Sequence, residues 1–329
     1  NKDYLFLAAA LASRYVRCGH ICLDLNSLAG GSIASSEAVE GPVTCPELEV
    51  WLRALKSSCA VGRPGDFKPL ILDNNNRLYL QRYWRYEQDI AQNILCRIST
   101  IAETKFDKAD IGAKLRLYFP ESKKQEPHWQ KVAATAALLK KFLVISGSPG
   151  TGKTTTITKI MALLLEVTRE KLRIALAAPT GKAAARLQDS VQKTKAKLLC
   201  ADSTKELIPD NAQTVHRLLG TISKSPYFKF NENNRLPCDL VVIDEASMVD
   251  VPLLAKLLQA LPPEARIILL GDKDQLASVE AGAALGDICY PDSVNKYSGK
   301  FAAIINDLSG ERVPVQAAAK AVQDSIIQL

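Results

Sequence analysis

Phe142-Leu-Val-Ile-Ser146-Gly147-Ser148-Pro149-Gly150-Thr151-Gly152-Lys153-Thr154 is the stretch on which the fold turns. Its first five residues form an apolar run suited to a buried strand. The next eight satisfy G-x-x-x-x-G-K-[ST] at every fixed position, and a helical pattern starts at Lys153. The chemistry explains the spacing. Glycines let backbone N–H groups converge on phosphate oxygens, and the start of the helix adds positive potential. Lys153 suits the β and γ phosphates, and the Thr154 hydroxyl suits a magnesium ion. The stretch therefore predicts ATP and Mg²⁺ as cofactors, cradled by Gly147 to Thr155.

Working outward, apolar strand-like runs at 142–146, 172–178, 239–243 and 266–270 alternate with helical segments near 153–167, 181–198 and 251–261. Such alternation predicts an α/β domain with a parallel sheet and crossover helices on both faces. The run Leu240-Val-Val-Ile243 ends in Asp244-Glu245. A parallel strand needs no acid at its end for stability. Beside a phosphate loop, Asp244 can hold the metal and Glu245 can orient and deprotonate an attacking water. The next strand ends in Gly271-Asp272-Lys-Asp-Gln275. The Gln275 amide can donate to a phosphate and accept from water, which suits a γ-phosphate sensor. Asp272 reads equally as a turn residue.

Residues 1–118 carry no catalytic signature. They read as a helix (4–17), a Gly- and Ser-rich loop (26–42), a helix (46–57), and a hairpin of 69–72 and 77–80 about an Asn-rich turn, followed by a long helix (83–103). Tyr79, Tyr83, Trp84 and Tyr86, interleaved with Arg77, Arg82 and Arg85, read as a core edge or a protein interface rather than a base-stacking platform. The polar stretch 119–127 reads as a linker to a domain spanning 128–329. A polar loop and then a closing helix are expected within 290–329.

Composition narrows the classes. In 329 residues, 42 Lys and Arg against 35 Asp and Glu give +7, which permits an anionic partner without requiring one. No apolar run approaches the roughly 18 residues of a membrane span. The eight cysteines are scattered without a Cys-x-x-Cys pair, which fits free thiols in a reducing cytoplasm.

Taken together the motifs resemble superfamily 1B DNA helicases. Ala178-Pro-Thr-Gly-Lys-Ala-Ala-Ala-Arg-Leu187 is similar to motif Ia, Val242-Ile-Asp-Glu-Ala-Ser247 to motif II, and Gly271-Asp-Lys-Asp-Gln275 to motif III. Thr214-Val-His216-Arg-Leu-Leu219 resembles the DNA-contacting segment between Ia and II. His128-Trp-Gln130-Lys-Val-Ala-Ala134, Gln275 to Gly282, Gly19 to Leu23 and Arg77 to Leu80 extend the likeness to the alpha-subunit family of exodeoxyribonuclease V. The resemblance implies a RecA-like P-loop domain preceded by a smaller, mainly helical domain that docks on a partner. It implies a 5′→3′ helicase subunit acting in double-strand break repair and recombination. Its partners would be the 5′-ended single strand of DNA and the beta and gamma subunits of a heterotrimer. Gln130 would read the adenine edge, and Thr180, Lys182, Thr214 and His216 would lie along single-stranded DNA. His216 also reads as a core histidine.

The resemblance also sets an expectation by what is missing. Motifs IV to VI, which a second RecA-like half would carry, do not occur before Leu329. That predicts a chain that binds Mg-nucleotide but turns it over very slowly by itself. Two rival readings are a stand-alone helicase of the same branch and a nucleotide-dependent switch or scaffold without motor activity.

Overall fold

The structure, a computed structural model, describes residues 2–33, 43–99, 107–120, 126–168, 171–275, 282, 284–289 and 295–329. Among them, no helix is long and apolar enough to cross a membrane. Contacts divide the chain into two units. One holds 1–90 with Asp250–Ala255 and Ser278–Gly282, and the other holds the remainder.

The first unit is mostly helical, with a four-stranded sheet. Its elements are α1 (Lys2–Arg17), β1 (Cys22–Asp24), α2 (Leu25–Leu28), the short pair β2 (Ser32–Ile33) and β3 (Val43–Thr44), α3 (Leu48–Lys56), β4 (Val61–Gly62), β5 (Leu70–Leu72), β6 (Arg77–Leu80) and the first half of α4 (Gln81–Ser99). The sheet order is β1-β6-β5-β4. The expected hairpin is β5 and β6, paired antiparallel. Its turn works because the Asp73 carboxylate accepts from the Asn75 and Arg77 backbone N–H groups at 2.9 and 2.8 Å, while Asn76 takes a left-handed φ of 61°. Leu23, Leu25, Trp51, Leu55 and Leu78 are fully buried in its core. Tyr79 and Tyr83 are buried too, which makes the aromatic cluster a core edge at those two positions.

The second unit is built on a six-stranded, all-parallel sheet. Its elements are the second half of α4, α5 (Lys108–Tyr118), α6 (Trp129–Leu139), β7 (Phe142–Ser146), α7 (Lys153–Thr168), β8 (Ile174–Ala178), α8 (Gly181–Lys195), α9 (Asp202–Leu207), β9 (Gln213–Thr214), α10 (Val215–Leu219), β10 (Leu240–Ile243), the second half of α11 (Val251–Ala260), β11 (Arg266–Gly271), α12 (Ala284–Ile288), α13 (Gly299–Ser309) and β12 (Ile326–Gln328). The strand order is β12-β7-β11-β10-β8-β9. Alternate residues Leu143, Ile145, Val242, Ile268 and Leu270 join one core with α6, α7 and α13. The residues between them, Phe142, Val144, Val241, Ile267 and Leu269, point to the opposite face and are buried as well. Both faces are therefore covered, as all-parallel sheets require. Each such fully buried aliphatic side chain contributes about 1.5–3 kcal/mol, which is why these runs carry almost no polar residue.

Three features differ from the sequence reading. The division between units falls within α4, between Ile90 and Ala91, ahead of the expected 118/128 boundary. The reason is apolar: Ile111, Leu115, Tyr118 and Phe119 pack into the same core as α6 and α7. Of the expected linker 119–127, residues 121–125 lie outside the described residues, as do 34–42 of the expected loop and 100–103 of the expected long helix. The helix expected near the end is present as α13, but the chain closes with β12, paired parallel to β7. Two edge strands, β9 and β12, had no signal in the sequence because they are only two and three residues long.

Candidate functional site

β7 leaves the sheet beside β11, with Gly271 opposite Ser146. The Gly147 N–H donates to the Gly271 carbonyl at 3.1 Å, so the phosphate loop starts from a fixed point. The loop then curls tightly. A Cβ on Gly147 would meet the Thr151 hydroxyl at 2.7 Å, and Gly150 and Gly152 take φ of +89° and +83°, which only glycine adopts freely. Lys153 turns back into this curl. Its ammonium donates to the Gly147 carbonyl at 2.5 Å and the Ser148 carbonyl at 3.2 Å. Ser148, Pro149 and Gly150 are exposed around it.

Along the first turns of α7, Thr156 and Thr158 spend their hydroxyls on the Gly152 and Thr154 carbonyls, at 2.9 and 2.8 Å. The hydroxyls of Thr154 and Thr155 make no such bond among the described residues. The donor set fits a triphosphate with a divalent metal: an ammonium inside the curl, a helix start, and an uncommitted hydroxyl beside them.

The acidic pair approaches from β10. β10 lies one strand from β7, with β11 between them, so Asp244 and the loop of Lys153 leave the same carboxyl edge of the sheet. Burial pushes the Asp244 carboxyl above its usual range. The Glu245 backbone N–H, donating to it at 2.9 Å, pulls the other way, the Glu245 charge raises it further, and Lys153 lowers it. Glu245 sits in the left-handed region at φ 51°, ψ 41°. That geometry costs a non-glycine residue about 1–2 kcal/mol and commonly marks a functional position. A three-residue 3₁₀ turn, Ala246–Met248, follows.

Gln275 is reached from this turn. The Ser247 hydroxyl donates to the Gln275 side-chain carbonyl at 3.5 Å, a long bond that leaves the amide NH₂ free. Residues 276–281, within the Gln275–Gly282 stretch that follows motif III, lie outside the described residues. Ser247 closes the stretch compared with motif II, but sequence reasoning gave it no role. Its signal was its place three residues after Asp244. Gly271, which opens the stretch compared with motif III, was likewise given no role: a Cβ there would meet Leu285 at 2.5 Å and the Ser247 backbone nitrogen at 3.2 Å, so the acidic turn needs a bare backbone beneath it.

Gln130, near the start of α6, lies against the same loop. Its amide nitrogen donates to the Thr151 carbonyl at 3.1 Å, and a Cβ on Gly152 would meet that nitrogen at 2.9 Å. It thus touches the phosphate loop directly while lying half-buried.

The four residues expected along DNA gather at the other side of the carboxyl edge, where Ala178 of β8 is opposite Thr214 of β9. Thr180 caps α8, its hydroxyl accepting from the Ala183 N–H at 3.2 Å, and Thr214 caps α10, accepting from the Arg217 N–H at 3.2 Å. Lys182 and His216 are exposed. The His216 ring meets Phe228 edge-on, with centroids 5.8 Å apart, so it is a surface residue rather than a core histidine.

Comparisons with known proteins bear on both units. Residues 1–79 match the family described as "RecBCD enzyme subunit RecD, N-terminal domain", and residues 130–281 match an AAA domain family. The chain is 41% identical to the RecBCD enzyme subunit RecD of Haemophilus influenzae over all of its own length and 53% of that protein. It is 42% identical to the RecBCD enzyme subunit RecD of Mycolicibacterium smegmatis over 86% of the chain and 48% of the relative. The ATP-dependent RecD2 DNA helicase of Deinococcus radiodurans is 35% identical over 64% of the chain and 26% of its own length. The chain therefore spans about half the length of the curated RecD relatives it matches.

Proposed function

The chain belongs to the RecD family, and from that premise we propose that it binds Mg-ATP at the carboxyl edge of its parallel sheet and serves as the ATP-dependent 5′→3′ DNA helicase subunit of a RecBCD-type complex. Its setting would be double-strand break repair and recombination, with the other subunits of that enzyme and the 5′-ended strand as partners. The match of residues 1–79 to the RecD N-terminal domain favours a complex subunit over a stand-alone helicase.

One observation carries the reading: β7 and β10 both pair in parallel with β11, which brings the loop of Lys153 and the strand end of Asp244 to the same carboxyl edge although 91 residues separate their numbers (244 − 153). Bound ATP with Mg²⁺ would supply the cleavable phosphoanhydride and the charge that holds its oxygens. Lys153 would exchange its bonds to the Gly147 and Ser148 carbonyls for phosphate oxygens. Loop N–H groups would take the remaining oxygens. Thr154 and Asp244 would hold the metal, and Glu245, set by its left-handed backbone, would position and deprotonate the attacking water. Gln275, with its carbonyl engaged by Ser247, would present its NH₂ to the terminal phosphate. Gln130 would tie base recognition to the loop through Thr151. Thr180, Lys182, Thr214 and His216 would hold the strand that the motor moves along.

The test is calorimetric titration of the chain with a magnesium–ATP analogue, wild type against Lys153→Ala, followed by capture of the other RecBCD-type subunits by immobilised chain. Micromolar binding lost in the variant supports the site. Equal binding by both proteins overturns it.

A further inference from the structure

α8 carries more than the motif at its start. Lys182, Arg186 and Lys193 on the helix, and Lys197 two residues past its end, are all exposed. At 100° per residue the four fall within an arc of about 60°, and at 1.5 Å per residue they extend over roughly 22 Å. The buried residues Ala183, Ala184, Leu187 and Val191 occupy a different arc and hold the helix to the domain. Only Asp189 interrupts the basic line.

Several cations elsewhere in the chain are matched with acids. Lys131 reaches Glu311 at 3.1 Å, Lys141 reaches Glu264 at 2.5 Å, and Arg173 reaches Asp239 at 2.8 Å. On α8 itself, Lys195 turns aside to Asp210 at 2.6 Å. Among the described residues none of Lys182, Arg186, Lys193 and Lys197 is in an ion pair. Four aligned and uncompensated cations raise the local concentration of a polyanion. A solvated helix face would have mixed signs; this one has four positive groups to one negative.

We propose that this face of α8 is a phosphate track for single-stranded DNA, continuing the strand's path from the Thr180–Thr214 edge down the flank of the domain. The proposal rests on the DNA reading above and extends it. The track begins at Lys182, two residues after the cap that Thr180 supplies. At the 3.4 Å per nucleotide of a strand stacked as in a duplex, its length matches about six or seven nucleotides at most. Its contacts are to the backbone, so it would hold any sequence.

Binding of fluorescent (dT)₆ and (dT)₂₀ to the full chain, measured by anisotropy between 50 and 200 mM NaCl, tests this. Each phosphate contact contributes about 0.7 to the salt slope of a single strand. For (dT)₂₀, Lys193→Glu with Lys197→Glu is expected to flatten the slope by about 1.4 and to weaken binding on the order of tenfold at low salt. The loss for (dT)₆ is expected to be smaller. Asp189→Lys fills the gap in the track and is expected to steepen the (dT)₂₀ slope by about 0.7, a gain that misfolding cannot imitate. If wild type binds (dT)₂₀ and both variants keep its slope, the track is overturned while the DNA edge stands. If wild type binds neither oligonucleotide, the DNA edge and the track fail together.

Discussion

The two sides of one sheet edge are built on opposite principles. On the phosphate side the side chains are left in uncomfortable states. Asp244 is a carboxylate whose burial resists ionisation, Glu245 holds a left-handed backbone, and the Thr154 hydroxyl is uncommitted. On the β8–β9 side the two threonines expected along DNA are already satisfied, Thr180 and Thr214 each capping a helix. The phosphate side would thus be tuned for chemistry at a cost in stability. The other side would lend ligand contacts from groups that the fold uses anyway. Substitutions should separate the two.

The largest effect is expected on the phosphate side. Lys153→Ala removes a charge-assisted donor worth about 1.5–3 kcal/mol, which corresponds to roughly 10- to 150-fold in nucleotide affinity. Calorimetry reads this directly. The melting temperature should change little, because the Ser148 carbonyl it serves is exposed and the Gly147 carbonyl is only part-buried. A large fall in melting temperature with unaltered affinity would reverse the contrast.

On the DNA side the order inverts. Thr180→Ala and Thr214→Ala each delete a cap and are expected to cost about 1 kcal/mol, or roughly 2–4 °C for a domain of this size. Thr→Ser keeps a hydroxyl at the same place and should restore the melting temperature. If the alanine variants melt as wild type does, these threonines are free for ligand contact alone and the comparison fails.

Glu245→Gly should move stability the other way. Glycine occupies the left-handed region without a Cβ penalty, although it also loosens the unfolded chain, so a net gain of up to about 1 kcal/mol is expected. ATP hydrolysis in the assembled enzyme should be lost together with that gain. Thermal melts that show the variant less stable than wild type would remove the claim of strain.

The contrast also explains what could be read from the chain. The loop from Gly147 to Thr154 was legible because phosphate chemistry fixes both residue type and spacing. The strands around it were legible because burial on both faces demands unbroken apolar runs: 142–146 was read to the residue, and 239–243 and 266–270 each within one residue of an end. β9 and β12 were not legible, since two or three residues carry no period, and their pairing is decided by the sheet they join. The place of α5 was hidden for a related reason. Its apolar residues show that it packs, but only the three-dimensional core shows that it packs on α7. At the site, the capping role of Thr180 and Thr214 was hidden because a capping threonine and a DNA-contacting threonine look alike in sequence. The bond from Gln130 to the Thr151 carbonyl was equally invisible, since it joins residues brought together by tertiary packing.

The smallest expected effect is a displaced titration, and its sign follows from Asp244. Burial raises its carboxyl above the ordinary 3.8, against the Glu245 N–H and the Lys153 charge that favour the anion. The folded state therefore binds this proton more tightly than the unfolded state does. The proton's contribution to stability is present at low pH and is lost as pH rises through the unfolded and then the folded value. At neutral pH the ionised, desolvated carboxylate opposes folding, so Asp244→Asn should raise the melting temperature there. The same carboxylate must be ionised to hold a metal. The extra affinity that Mg²⁺ gives a nucleotide should accordingly fade as pH falls, starting above the range of an exposed aspartate. Binding of the metal-free nucleotide to the phosphate loop should not share that loss. Titrations at several pH values, with and without Mg²⁺, measure the difference, which Asp244→Asn should flatten. A magnesium contribution that is independent of pH down to the ordinary carboxylate range would place the metal on other ligands and take the acidic strand end out of the site.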